Sequence, residues 1–155
     1  MNMQEVTYCG LYCGLCASRR RIPQQAQTLR ETLRREGYDQ GYFDIPGLHE
    51  VFASFWQGLN VLATSSCPGC RAGGGYPDCP IRLCARERGV TVCAECQDYP
   101  CQRLDMLRHY PTLRTDNDRL RQIGLERWIE EQEERARCGF CYADVRIPHG
   151  EAEHD

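Results

Sequence analysis

The spacing of hydrophobic residues predicts helices over most of the chain outside its cysteine-rich segments. Between residues 22 and 36, Ala26, Leu29 and Leu33 recur at helical spacing, and Gly37 follows as a stop signal. A longer pattern begins after residues 44–47, with apolar side chains at helical spacing: Leu48, Val51, Phe52, Phe55, Leu59 and Leu62. We expect this second helix to be the main core helix.

Shorter helices are predicted in the second half of the chain. Residues 80–88 begin with Pro80, which suits the first helical turn, and Gly89 follows as a stop. Pro100 opens another helix with Leu104 and Leu107 inward. A capping-box variant over residues 115–118 predicts a further helix start, and the pattern then continues across a break at Gly124 into an acidic run.

These elements define the expected fold class. We expect a mainly α protein: a small helical domain with irregular cysteine-rich metal-binding loops and little strand, apart from a short segment near Val6. A length of 155 residues fits one domain. We therefore expect a single cysteine-rich helical metal-binding domain over residues 1–137 and a short tail over residues 138–155.

The chain has 12 cysteines, and their number bears on what holds the fold together. Residues 67–101 are rich in glycine and poor in apolar residues, so we expect something other than apolar burial to hold them. The segment contains these cysteines: Cys67, Cys70, Cys79, Cys84, Cys93, Cys96 and Cys101. Repeated C-x-x-C units of this kind, including the zinc knuckle 67–70, are typical of thiolate ligands to a metal.

Two further groups of cysteines lie near the ends of the chain. Cys9, Cys13 and Cys16 have a spacing that radical enzymes with a 4Fe-4S cluster also use, but this chain lacks the length for the barrel of those enzymes. The tail contains Cys138 and Cys141. These two either bind metal together with the tail histidines or remain free thiols; the histidines are His149 and His154.

Charge and compartment narrow the classes of function. The N-terminus shows no secretory signal and no apolar run reaches about 18 residues, so we expect a cytoplasmic protein with no membrane span. A net charge of −3 argues against nucleic-acid binding. All 19 basic residues are arginines, which serve either as surface charge or to neutralise nearby thiolates. Those near cysteines are Arg71, Arg82, Arg86 and Arg103.

The spacing leaves two partitions of the ligands open. In a local arrangement, one site takes the cysteines of residues 67–84. In an interleaved arrangement, the pair at 67 and 70 faces the pair at 93 and 96, and the remaining cysteines of the segment meet the N-terminal group. We favour the interleaved arrangement. Seven is an odd number for four-ligand sites, so at least one cysteine of residues 67–101 is expected to meet the N-terminal loop.

Four ordered motifs resemble a known family. They are Tyr8–Cys16, Cys79–Ala85, Cys93–Cys101 and Ile123–Ile129, and together they look like the microbial proteins grouped as domain of unknown function 3795. The resemblance spans about residues 5–141. It implies a cysteine-rich, metal-binding protein without an established reaction. Some members end in a fuller zinc ribbon, of which only Cys138 and Cys141 have counterparts here.

Three functions follow as hypotheses. The first is an interaction or adaptor domain with a protein partner, stabilised by two or three structural zinc ions. The sequence favours a non-enzymatic role, since no general base stands beside an open coordination position. The second is an iron–sulfur redox or sensor protein with a 4Fe-4S cluster. The third is a thiol oxidoreductase using Cys138 and Cys141, whose spacing is that of thioredoxin-type sites.

Overall fold

Helices dominate the computed structural model, which describes residues 2–148. The α-helices are α1 (Arg21–Arg35), α2 (Leu48–Thr64), α3 (Pro80–Glu87), α4 (Leu113–Ile123) and α5 (Leu125–Arg137), with short 3-10 turns between them. Among the residues described, strand-like pairing is limited to an isolated bridge between Val6 and Tyr12. The expected mainly α fold class is confirmed.

The chain divides into two compact units. One unit joins the N-terminal segment up to Ala17 with the chain from Cys67 onward, and the other is Ser18–Ser66. The first unit therefore contains the N-terminal cysteines together with all the later ones. The helical pair α1 and α2 forms the second unit by itself.

The Ser18–Ser66 unit has a small core. Ala26 on α1 packs with Leu59 and Ala63 on α2, and the Gln27 side chain donates a hydrogen bond of 2.8 Å to the Ala63 carbonyl. The expectation that α2 is the main core helix is wrong, because Val51 is 55% exposed and other stripe residues are exposed as well. Within its unit α2 packs mainly on α1, which buries only one side of the stripe.

The main hydrophobic core belongs to the other unit. Trp128 and Ile129 of α5 are fully buried, and the Tyr12 ring meets the Trp128 ring edge-on at 6.1 Å. The cysteine-rich segment contributes to this core through Ile81 and Val92, which are 2% and 0% exposed. The expectation that apolar burial does not hold residues 67–101 is therefore wrong, because a few buried apolar side chains fix this segment to the core.

Helix ends agree with the sequence prediction in part. The predicted helix at Pro80 is α3, and Gly89 follows it with φ 64°, a left-handed conformation that suits glycine. The predicted capping box is wrong, because α4 begins at Leu113 and places Thr115 inside the helix. The helix expected from Pro100 is instead a 3-10 helix over Gln102–Leu107.

Candidate metal centre

Four cysteines line one small cavity in the unit that contains the main core. The cavity measures about 50 Å³ and lies between α3 and the segment that follows it. Its thiol-bearing residues are Cys84, Cys93, Cys96 and Cys101, and its apolar wall comes from Ile81, Ala85, Val90 and Leu104. Thiols and hydrocarbon therefore make up most of the lining.

Local structure explains how these cysteines come together. A 3-10 turn over Cys93–Glu95 brings the Cys96 amide to the Cys93 carbonyl at 3.0 Å, which places both cysteines on one tight turn. Cys101 precedes the 3-10 helix Gln102–Leu107. Cys84 lies on α3, directly before the buried Ala85. The C-x-x-C spacing thus produces the turn, and the apolar neighbours fix it against the core.

Electrostatics at the cavity disfavour an uncompensated thiolate. Burial, with smaller contributions from the nearby sulfurs of Cys9, Cys101, Cys96 and Cys84, raises the pKa of Cys93 to about 12. A bound cation would reverse this effect, because its charge stabilises the thiolates that burial and mutual repulsion disfavour. The chemistry of the four donors thus suits a metal centre better than free anionic thiols.

An arginine already contacts one of the four sulfurs. Arg88 donates a hydrogen bond of 3.6 Å to the Cys96 sulfur and also pairs with the Asp98 carboxylate. This ion pair raises the pKa of Arg88 further above its ordinary value. Neither residue was predicted from the sequence, although Arg88 follows the last residue of α3 and Asp98 lies two residues after Cys96. Charge next to a C-x-x-C pair was the signal that could have identified them.

The four thiols surround the cavity without meeting at a point. Across residues 2–148, no three side chains of the His, Cys, Asp or Glu type converge closely enough to hold a metal ion. Binding of one ion by all four sulfurs would therefore require the cysteine side chains to turn inward. Thiolates are nevertheless the donor type that zinc and iron–sulfur clusters take, and four of them complete either kind of centre.

A second group of cysteines lies where the N-terminal loop meets residues 67–79. The Cys70 amide donates a hydrogen bond of 3.5 Å to the Cys13 sulfur. Burial raises the pKa of Cys9 to about 11, and the sulfurs of Cys70 and Cys79 add to the increase. Cys70 therefore contacts Cys13 of the N-terminal loop, while the expectation that a cysteine of residues 67–101 shares a metal ion with that loop stays a prediction.

This grouping differs from both partitions expected from the sequence. Cys84 shares its cavity with Cys93 and Cys96, and Cys67 and Cys70 of the local arrangement are not among the lining residues. Neither Cys67 nor Cys70 lines this cavity, so the cavity does not bring together the two C-x-x-C pairs of the interleaved arrangement, which stays a prediction. The physical reason is that α3 carries Cys84 towards the second C-x-x-C turn.

The remaining candidates lie apart from the cavity. Cys16 is half-buried, near Tyr110, whose pKa its sulfur helps to raise. Cys138 is exposed, and its thiol donates a hydrogen bond of 3.3 Å to Glu134. Cys141 is buried, and its backbone amide donates to Asp144 at 2.9 Å. The two tail histidines considered as ligands, His149 and His154, lie outside the described residues.

The arginines expected near cysteines have distinct roles. Arg71 donates to the Val6 carbonyl at 2.8 Å and lies 4.6 Å from the centre of the Tyr8 ring, so it fixes the N-terminal loop. Arg86 also lies over Tyr8, at 5.6 Å. Arg103 lines the cavity, and Arg82 is buried beneath residues 70–77. Whether an arginine serves as surface charge or neutralises a thiolate therefore differs from one arginine to the next.

Comparison with known proteins identifies the family. A family model described as "Protein of unknown function (DUF3795)" matches residues 5–106. The chain belongs to this family. The match includes ten cysteines, from Cys9 to Cys101, and therefore both groups described above. The motif at Ile123–Ile129 and the tail pair lie beyond the matched residues.

Other comparisons add little to the family assignment. No curated protein and no solved structure matches the chain. Within the part of the chain that the structure covers, no helix has the length and apolar character needed to span a membrane.

Proposed function

We propose that this member of the DUF3795 family is a metal-binding protein in which Cys84, Cys93, Cys96 and Cys101 hold one zinc ion. The observation that carries the proposal is the single cavity lined by these four cysteines. A zinc ion bound by four thiolates has no open position, so its role would be structural. We place the protein in the cytoplasm, where thiols stay reduced and available to metal.

The contacts at the cavity support a structural role over a catalytic one. Asp98 is the carboxylate in the lining, and it pairs with Arg88 instead of facing the cavity as a free base. Arg88 in turn contacts the Cys96 sulfur, where its positive charge would offset the negative charge of a tetrathiolate zinc site. Zinc held in this way would contribute directly to folding free energy.

The biological role that we propose is an interaction or adaptor domain with a protein partner. It is supported by the apolar side chains that α2 leaves at the surface, including Val51, Phe55 and Leu62, which are 55%, 40% and 47% exposed. Exposed apolar clusters of this kind are common at protein interaction sites. The metal centre would then stabilise the unit formed by residues 67 onward and the N-terminal loop.

Elemental analysis of protein purified without oxygen tests the zinc assignment. We expect a colourless protein with stoichiometric zinc, and loss of one zinc ion in Cys96→Ser. Cys138→Ser is the matched control, since it removes an exposed thiol outside the cavity and should leave this zinc in place. Unchanged zinc content in Cys96→Ser, with the variant folded by circular dichroism, would rule out the proposed site.

The cavity volume favours an iron–sulfur centre as the second candidate. A cavity needs about 10–15 Å³ to admit one water molecule. The space between the four cysteines, about 50 Å³, is several times larger, so the cavity has room for a cluster as well as for a single ion. A brown protein with a broad visible absorption band and stoichiometric iron would establish this candidate in place of zinc.

The thiol-oxidoreductase hypothesis finds less support in the contacts. The hydrogen bond to Glu134 raises the pKa of Cys138, whereas a reactive thiol needs a lowered pKa. Cys138 also follows the end of α5, while thioredoxin-type cysteines stand at a helix start. An insulin-reduction assay on metal-bound and metal-free protein would test it, and we expect no activity in either form.

A further inference from the structure

Arg82 is a buried charge that forms no ion pair with a carboxylate within residues 2–148. Its side chain is 4% exposed, and its hydrogen bonds within the described residues all go to backbone carbonyls. One guanidinium nitrogen donates to the carbonyls of Cys70 and Gly74 at 3.3 and 2.8 Å. The other donates to those of Tyr76, at 2.8 Å, and Pro77. Carbonyl dipoles solvate the guanidinium but carry no net negative charge.

A buried charge of this kind implies a negative charge nearby. A buried charge with no opposite charge near it is strongly unfavourable in a protein interior. Groups that could supply it include the thiols of the loop that Arg82 binds, because Cys70 provides one of its carbonyls and Cys79 lies at the N-cap of the same helix. A thiol becomes a full negative charge when a metal displaces its proton.

The loop that Arg82 holds encloses a cysteine sulfur. A Cβ atom at Gly74 would lie 2.7 Å from the Cys67 sulfur and 2.9 Å from the backbone of Gly69. The Gly74 amide also donates to the Gly69 carbonyl at 2.8 Å, which closes the loop. The chain therefore wraps around this sulfur at a distance that tolerates no side chain. Cys67 and Cys70 flank the Pro68-Gly69 turn as in a zinc knuckle.

The N-terminal loop supplies a further thiol. Cys13 accepts a hydrogen bond from the Cys70 amide at 3.5 Å, and it is 7% exposed. Backbone amides that donate to a sulfur stabilise its thiolate form. Cys9 lies near Cys70 and Cys79 but also near Cys93 of the first cavity, so it faces both groups.

We propose that Cys13, Cys67, Cys70 and Cys79 form a second thiolate metal site, separate from the first, with Arg82 as its positioning residue and buried countercharge. The guanidinium would act in two ways: its four hydrogen bonds hold the loop in shape, and its charge offsets half of the net charge of −2 on a tetrathiolate zinc ion. The ligand class is a divalent, thiolate-preferring metal ion such as zinc.

Metal counts in the full-length chain test this second site. Protein purified without oxygen and saturated with Zn²⁺ should hold two ions at the proposed sites. Cys79→Ser should lose one ion and Cys84→Ser the other, while the double variant should lose both. If Cys84→Ser loses nothing while Cys79→Ser loses one, the first site fails and the second survives. Full retention of metal in Cys79→Ser would overturn the second site.

The N-terminal ligand and Arg82 need their own variants. Cys13→Ser should lose the same ion as Cys79→Ser, and loss with Cys9→Ser instead would overturn the assignment of Cys13. Arg82→Gln keeps hydrogen-bonding capacity but removes the charge. It should weaken the binding of one of the two ions by about 10- to 100-fold, as measured by chelator competition. Arg127→Gln, which changes an exposed arginine on α5, is the matched control and should weaken the binding of neither ion.

Alkylation of the wild-type chain provides a test that does not depend on the folding of variants. Cysteines that bind metal react slowly with iodoacetamide when Zn²⁺ is present and quickly after it is removed. Mass spectrometry should show zinc-dependent protection of Cys67, Cys70 and Cys79 together. Equal alkylation of these cysteines with and without Zn²⁺ would contradict the second site. Equal weakening of both ions by Arg82→Gln would contradict the specific role of Arg82.

Discussion

Asn117 lies against Gly10 so closely that no side chain fits between them. A Cβ atom at Gly10 would stand 2.1 Å from the Asn117 side-chain oxygen, and Gly10 itself has φ 89°. The Asn117 side-chain nitrogen donates to the carbonyls of Cys9 and Leu113, at 3.0 and 2.8 Å. This contact holds the N-terminal cysteine loop on α4.

We predict that Gly10→Ala destabilises the protein by about 2–5 kcal/mol. The left-handed conformation costs an alanine about 1–2 kcal/mol. Overpacking against the buried Asn117 adds about 1–3 kcal/mol. Urea unfolding at constant metal concentration would measure the change. Gly89→Ala is the matched control, because Gly89 has φ 64° but open space around its Cβ position, so it should show the conformational cost alone. Equal effects of the two substitutions would contradict the close contact.

The location of the core gives a second prediction. Ile129→Ala should cost about 2–5 kcal/mol, since Ile129 is 0% exposed in the main core and its truncation leaves a cavity. Val61→Ala on α2 should change stability by less than about 0.5 kcal/mol, because Val61 is 67% exposed. Thermal or urea unfolding measures both changes. A loss from Val61→Ala as large as that from Ile129→Ala would contradict the exposed position of Val61.

The Tyr99 hydroxyl gives a prediction about pH. Burial raises the pKa of Tyr99 to about 12, and the hydrogen bond of 2.9 Å to Asp118 adds to the increase. Because the folded-state pKa lies above the ordinary value of about 10, the stabilisation is fully present below pH 10 and is lost as pH rises towards 12. Tyr99→Phe should therefore reduce the loss of stability over this range.

Ultraviolet titration can follow this tyrosine directly. The difference between wild type and Tyr99→Phe in phenolate absorbance should report a group that titrates near pH 12. Asp118→Asn should lower that midpoint, because it removes the carboxylate charge that favours the neutral phenol. A midpoint near 10 in the wild type, or one that Asp118→Asn leaves unchanged, would contradict the contact between Tyr99 and Asp118.

Removal of metal gives the fourth prediction. Chelation should increase hydrogen exchange in residues 93–101, because the two ends of this segment are held through the sulfurs of the proposed site. The helices α4 and α5 should keep most of their protection, since Leu120, Trp128 and Ile129 pack on one another through apolar contacts. Mass spectrometry with and without a chelator would compare the two regions, and equal loss of protection in both would contradict it.

Much of the local structure could be predicted from the sequence. The boundaries of α1 and α3 follow from apolar spacing, Pro80 and the terminal glycines, because backbone preferences of single residues decide where a helix ends. Capping signals were less reliable. The Thr115 hydroxyl donates to the Thr112 carbonyl inside the helix and does not cap it. The helix begins earlier, at Leu113, because that side chain is buried in the core.

The twelve cysteines and their spacing were determined by the sequence alone, and so were the tight C-x-x-C turns, because these depend on residues a few positions apart. The tertiary structure decided which turns face each other. Cys84 joins Cys93 because α3 packs Ile81 and Ala85 into the core, and Cys13 meets Cys70 because the N-terminal loop is fixed by Asn117 and Arg71. Such long-range contacts depend on which apolar faces pack against one another in the folded chain, and the spacing of residues along the sequence does not specify that packing.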